Sequence, residues 1–327
     1  MKRRSFIQTA IGLYGAGLSE ARNAEPLQWH ARLLTGLGTT MAIRVGHADA
    51  ALAARALDAA RDTIRHVEDQ MSLYRSDSAI CQLNRTGHLQ NPPPDLVAIL
   101  QTAQAVAARS HGAFDVTVQP LWTLFQAANR LGRLPTSDAV RTARNLVNWQ
   151  LLQVTEESIT LGRRGMGITL NGIAQGFAAD LVAARLRALG IRHALVDTGE
   201  WAALGMAEPH RDWALGVADP RDASSVLARF AMDGRCVATS ADSQCSFSPD
   251  FQHHHIFDPS TGYSPSGLSS VSVLAPSCVL ADALTKVMFV AGFQRALQLA
   301  RAWNVDVLVV DKKGIWQATA GITLLPT

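Results

Sequence analysis

Five short segments of this sequence set polar residues and glycines inside apolar surroundings, where a turn, a cap or a site must account for them. Met71-Ser72-Leu73-Tyr74-Arg75-Ser76-Asp77-Ser78 leaves a helix and runs on to Leu83-Asn84. Taken alone it is a helix exit with turn residues. Gly112-Ala113-Phe114-Asp115-Val116-Thr117 follows a second helix. Its glycine is an ordinary C-cap, but Asp115 and Thr117 both need partners if buried. Thr169-Leu170-Asn171-Gly172-Ile173-Ala174-Gln175-Gly176, continuing to Asp180, places glycines at a strand-to-helix junction. A helix start there offers free N–H groups to a phosphate; a tight turn that needs small residues explains the glycines equally well. His253-His254-His255-Ile256-Phe257-Asp258-Pro259-Ser260-Thr261-Gly262-Tyr263 suggests a metal by its three histidines. Neighbours in an extended chain point to opposite faces, so one functional histidine at most is expected. Finally, Ala281-Asp282-Ala283-Leu284-Thr285-Lys286 opens a mostly apolar helix. The helix dipole favours a carboxylate at that place; a hard oxygen ligand for Mg²⁺ is the sharper reading.

The elements that must position these groups are read from periodicity. Residues 29–45 form a strand interrupted by Gly36 and Gly38. An alanine-rich helix over 50–70 carries Leu52, Ala56, Ala59, Ile64 and Val67 at helical spacing. Asn91-Pro92-Pro93-Pro94-Asp95 is a stop followed by a helix start, and that helix runs to about Ser110. Residues 151–161 alternate like a hairpin, and 176–189 form a helix closed by Gly190. Strands are expected over 191–196, 213–217, 225–230, 269–274 and 305–310, and helices over 279–291 and 294–303. Helices and strands intermix without a βαβ beat. No G-x-G-x-x-G follows a strand and no Walker loop occurs, which disfavours a Rossmann site. The expectation is a compact α+β fold in one chain, with room for two lobes around a central cleft.

Apolar residues make up 48% of the 327 and charged residues 17%, a composition that supports a sizeable core. Lys2-Arg3-Arg4-Ser5-Phe6-Ile7 precedes a modest apolar run over 10–18 that is too short to span a bilayer. Paired arginines before such a run fit a twin-arginine export signal over 1–24, leaving 25–327 as the mature domain and the periplasm as its location. Without residues 1–24 the chain loses four of its 30 basic and one of its 27 acidic residues, leaving 26 of each. The basicity belongs to the signal, so nucleic-acid binding has no electrostatic support, and no membrane span is expected in the mature chain. None of Cys81, Cys236, Cys245 and Cys278 stands in a C-x-x-C pair. Cys236 with Cys245 could bridge a hairpin in an oxidising compartment; buried free thiols are as good a reading.

In this order and with this spacing, the five segments resemble the ApbE family, the FAD:protein FMN transferases, over roughly Leu34 to Leu324. The resemblance implies an α+β fold with a central cleft. It implies an enzyme that uses FAD and Mg²⁺, attaches FMN through a phosphoester to a threonine or serine of an acceptor flavoprotein, and releases AMP. By position it assigns flavin contacts to Leu37, Tyr74, Ala113, Phe114, Asp115, Thr169, Gln175 and Ile256. His255 becomes the general base, and its ordinary pKa suits that task. The metal site falls to the Gly172 carbonyl and to Asp282, with Thr285 and Lys286 beside it.

The departures cluster at that metal site. The family reads Ala-Asp-Ala-Leu-x-Thr, whereas here Lys286 holds the threonine's place and Thr285 precedes it. Positions i and i+4 share a helix face, so Lys286 can pair with Asp282 and lay an ammonium where Mg²⁺ would sit. Thr285 reaching a metal after a small rotation is the other reading. Ser240-Ala241-Asp242 and Thr198-Gly199-Glu200 are softer departures. Two further functions stay open: FAD binding without transfer, and Mg²⁺-dependent hydrolysis of FAD to FMN and AMP.

Overall fold

A computed structural model describes residues 7–8, 27–208 and 210–326. The paired arginines and the proposed cleavage region lie outside the described residues. Ile7–Gln8 pairs antiparallel with the strand Ala214–Ala218. No helix among the described residues is long and apolar enough to cross a membrane.

The segment 29–45 is not one strand but two. Trp29–Gly36 and Thr39–Gly46 pair antiparallel around the turn Leu37-Gly38, whose φ values are +47° and +77°. Two left-handed residues give a hairpin turn whose twist matches the strands. This hairpin is one edge of an eight-stranded sheet in which every neighbouring pair is antiparallel. From the other edge the order is Trp316–Ala318, Asp306–Asp311, Leu268–Ala275, Cys236–Ala241, Trp201–Leu204, His193–Asp197, then the hairpin.

The central strands of the sheet are buried on both faces, and strand alternation divides their side chains between two cores. Val307 and Val309 join one, with the helices Ala50–Met71, Ala174–Ala188 and Cys278–Ala291. Leu308 and Val310 join the other, against the strands Ala214–Ala218 and Val226–Ala231 of a smaller sheet. Every residue of Cys236–Ala241 and of Leu268–Ala275 is buried. A third cluster stands apart. There Leu121, Phe125, Val140 and Ala143, from the helices Gln119–Arg130 and Ser137–Arg144, pack on Cys245, Phe247 and Phe257.

Two helices of the first core meet unusually closely. A Cβ on Gly176 would overlap the carbonyl of Cys278, so only glycine permits the approach. The two helix starts also cap each other. Asp180 accepts from the Cys278 and Val279 N–H groups at 2.8 and 2.9 Å. Asp282 Oδ2 accepts from the Gly176 N–H at 3.1 Å. These are orphan donors of each first turn, satisfied by a carboxylate from the other helix.

The four cysteines are free thiols. Cys236 Sγ faces Asp180 at 3.7 Å on the helix side of the large sheet, beside Cys278. Cys245 instead packs among Phe125, Phe247 and Phe257. The hairpin bridge between Cys236 and Cys245 is therefore not formed, because the two sulfurs belong to different cores.

Candidate active site

A cleft of about 830 Å³, counting its open mouth, lies between the sheet and the third cluster. Of the residues proposed from sequence, Ala113, Phe114, Asp115, Thr169, Gly172, Gln175, His255, Ile256 and Lys286 line it. Four do not. Leu37 is buried in the main core and donates its N–H to Glu68. Tyr74 packs its ring on Gly38, is 57% exposed, and forms no part of the cleft wall. The Leu37-Gly38 turn is the tip of the edge hairpin. Asp282 and Thr285 are fully buried one layer behind the wall.

The apolar end of the cleft is held by a brace of polar groups. Asp115 Oδ1 accepts from the Thr117 N–H and hydroxyl at 2.7 and 2.6 Å, and Oδ2 from the Trp149 N–H at 3.0 Å. Burial pushes the Asp115 carboxyl up from its ordinary range, against those three donors. Asn84 exchanges two hydrogen bonds with the backbone of Ile168, which fixes the strand-like run into Thr169. Buried Asp115 and Thr117 thus satisfy each other, and half-buried Asn84 satisfies the backbone of Ile168.

The three histidines separate as their alternation demands. His254 is fully buried. It accepts from the Ile256 N–H at Nδ1 (3.3 Å) and donates from Nε2 to the Pro265 carbonyl (3.1 Å). Burial lowers its pKa to about 4, so it stays neutral. His253 packs against Phe125 and Tyr263. His255 lines the cleft, with Nδ1 at 3.3 Å from the Cys245 carbonyl. A proton on Nδ1 directed at that carbonyl puts the lone pair on Nε2, the tautomer a base requires. The wall carrying His255 is tied to the sheet by Asp242, which is fully buried. Asp242 pairs with Arg221 at 2.6 and 2.8 Å and with Lys312 at 2.7 Å, and Lys312 also donates to the Phe251 carbonyl.

The ionic end collects residues that sequence reading did not put in the site. Glu200 and Thr239 line the cleft from the strands Trp201–Leu204 and Cys236–Ala241 or their flanks, which meet through the pair Val237↔Trp201. Glu200 accepts from the Thr239 N–H at 3.1 Å. Burial pushes its carboxyl well above the usual range, Asp282's charge pushes the same way, and Lys286 opposes both. Gln175 packs its amide on Gly199, where a Cβ would lie 2.8 Å from Nε2 and where φ is +97°. The Gly199 N–H donates to Asp197 at 2.9 Å, yet burial still raises the Asp197 pKa to about 7. The only signals here were that Glu200 and Ala241, next to Ser240, depart from the family pattern.

At the centre stands Lys286. Its Nζ donates to Asp282 Oδ1 at 2.5 Å and to the Asp282 carbonyl at 3.1 Å. Its Cε would lie 3.1 Å from a Cβ on Gly172. Asp282 sits one turn inside a helix that begins at Cys278, not at the helix start, and its other oxygen holds the Gly176 N–H. That N–H is one of the donors at the start of the helix Ala174–Ala188, and the Asp282 carboxylate takes it. Thr285 donates its hydroxyl to the Asp282 carbonyl at 2.7 Å and lies 2.8 Å from the Ser240 hydroxyl. Mg²⁺ requires several oxygens at about 2.0–2.1 Å in octahedral array. The carboxylate and hydroxyl that would supply them are committed, and an ammonium fills the space. The residues present do not fit a divalent cation.

An antiparallel sheet backed by helices, with an apolar wall, a histidine and a part-buried cation converging on one cleft, defines an α+β protein whose site is apolar at one end and ionic at the other. A sequence profile of the ApbE family matches residues 37–309, and the chain belongs to that family. It is 29% identical over 259 residues to an FAD:protein FMN transferase of Vibrio cholerae, covering 76% of this chain and 77% of the relative. It is 29% identical over 309 residues to one of Treponema pallidum, covering 88% and 85%. The crystal structure of the flavinyl transferase ApbE of Pseudomonas stutzeri, in its apo form, superposes with a TM-score of 0.79 at 26% identity, covering 91% of this chain and 96% of that one.

Proposed function

We propose that this chain is an FAD:protein FMN transferase. The observation that carries the reading is convergence: Phe114, Gln175, His255 and Lys286, widely spaced in sequence, line one cleft. The Phe114 wall suits an isoalloxazine ring, and the ammonium of Lys286 suits a pyrophosphate. The acceptor is a flavoprotein presenting a threonine or serine hydroxyl. That oxygen attacks the phosphorus on the riboflavin side. The P–O bond to the adenylate breaks, and AMP leaves with the bonding electrons. His255 Nε2 takes the acceptor proton, and the covalent product is a phosphoester. Family resemblance implies Mg²⁺, but the groups that would hold it are committed, so no step is assigned to a metal. The paired arginines at Arg3 and Arg4 support twin-arginine export to the periplasm, where the acceptor would be met.

The test supplies the purified chain with FAD and an acceptor protein carrying a flavinylation threonine. Covalent flavin fluorescence on the denatured acceptor, matched mole for mole by AMP, is the expected result. His255→Ala should lower the rate about 10²–10⁴-fold while leaving FAD bound. The Lys286–Asp282 pair favours one rival, FAD binding without transfer. Bound FAD with no AMP under any condition would establish it, and AMP without covalent flavin would mean hydrolysis instead.

A further inference from the structure

We infer that the ammonium of Lys286 replaces the divalent cation of this site, so that flavin binding and transfer proceed without metal. The inference rests on the flavin-transferase reading and deepens it. Three observations carry it. First, Lys286 is not a surface lysine that has drifted inward. Its stem lies along Gly172, its side chain is 18% exposed, and its partner Asp282 is fully buried. Second, an ammonium has three donors. Two go to the side chain and carbonyl of Asp282, and among the described residues the third has no partner. Lys286 lines the cleft, so the charge is held where a pyrophosphate in the cleft would meet it. Third, a divalent ion could bind Asp282 only by displacing Nζ, and Nζ would then have to leave a carboxylate buried in the helix pair.

The replacement changes what the site must gain at each turnover. A lysine brings one fixed charge on the chain itself and needs no ion from solution. It holds a phosphate by charge and hydrogen bonds, without a metal's coordination. In the transfer step the leaving AMP phosphate gains negative charge as its P–O bond breaks, and Lys286 is placed to meet that charge. The proton balance is unaffected: the acceptor's proton goes to His255 and then to solvent.

The experiment compares the full chain with Lys286→Met and Lys286→Thr, reading three signals. Equilibrium FAD binding is followed by flavin fluorescence, with riboflavin as the control lacking phosphate. Mn²⁺ binding is followed by electron paramagnetic resonance. Transfer is followed with and without EDTA. The wild type should bind FAD equally well, within twofold, with EDTA or Mg²⁺, should transfer equally in both, and should bind no Mn²⁺ at the site. Lys286→Met should weaken FAD more than tenfold and riboflavin less than twofold. Lys286→Thr should gain a Mn²⁺ site and a metal requirement for FAD binding. Stoichiometric Mn²⁺ binding by the wild type, with FAD binding or transfer lost in EDTA, would overturn the inference and leave the transferase reading standing. Absence of FAD binding with or without metal would instead overturn the transferase reading, and the inference with it.

Discussion

Asp180 and Asp282 occupy matching places at the contact between two helices, and their difference separates architecture from chemistry. Each reaches across to the first turn of the opposite helix. Asp180 gives both oxygens to backbone N–H groups, with the Cys236 thiol as its remaining neighbour at 3.7 Å. Its hydrogen-bond partners are all neutral, and burial pushes its carboxyl up from the ordinary range despite them and despite the more distant charge of Arg187. Asp282 gives one oxygen to a backbone N–H and the other to an ammonium that lines the cleft. The same cap is closed in one case and open towards a ligand in the other. A buried carboxylate becomes part of a site when one of its partners also faces the ligand.

The comparison breaks most sharply at Asp282. Asp282→Ala removes the partner of a part-buried ammonium and of the Gly176 N–H, and a cost of about 3–5 kcal/mol is expected in chemical denaturation. FAD affinity and transfer should fall as well, because Lys286 loses its anchor. Gly176→Ala attacks the contact that both caps share. The added methyl must push the helices apart, at about 1–3 kcal/mol by the same measurement. Asp180→Asn keeps one acceptor oxygen and loses the other. About 1–2 kcal/mol is expected, with transfer per folded molecule changed less than threefold. A loss of transfer at Asp180 as large as that at Asp282 would erase the distinction between the two carboxylates.

Asp197 supplies the most pH-specific test. Its folded pKa of about 7 lies above the ordinary 3.8, so the folded state holds a proton that the unfolded state releases. Its contribution is therefore fully present below about pH 4 and is lost as pH rises to 7. Over that window the loss approaches about 4 kcal/mol as an upper bound. Asp197→Asn should flatten the fall in stability between pH 4 and 7, measured by denaturation at each pH. An unchanged slope would mean that the carboxyl ionises freely in the fold.

Much of this was legible in the sequence, for reasons visible in particular residues. The helix Ala50–Met71 keeps Ala53, Ala56, Leu57, Ala60, Ile64 and Val67 on one buried stripe, so its period is strong. The strands Cys236–Ala241 and Trp201–Leu204 went unread. Both are wholly buried and carry no polar alternation, and Cys-Val-Ala-Thr-Ser-Ala offers few large apolar residues. Ser137–Arg144 was missed for the opposite reason: only Val140 and Ala143 are buried in a polar octet. The Lys286–Asp282 pair was one of two arrangements that helical spacing left open at the departure from the family pattern. Glu200 and Thr239 could not be placed, because a strand pairing between distant segments brings them together. Tyr74 meets the hairpin turn that carries Leu37, outside the residues that line the cleft, a contact that local turn chemistry alone does not foretell.

The most direct test of the account is a crystal structure with FAD, grown in excess Mn²⁺ and measured at the manganese absorption edge. The account predicts the isoalloxazine against Phe114, the pyrophosphate within hydrogen-bond reach of Lys286 Nζ, and no anomalous peak beside Asp282. Flavin bound elsewhere, or manganese seated on Asp282 with Lys286 swung away, would contradict it.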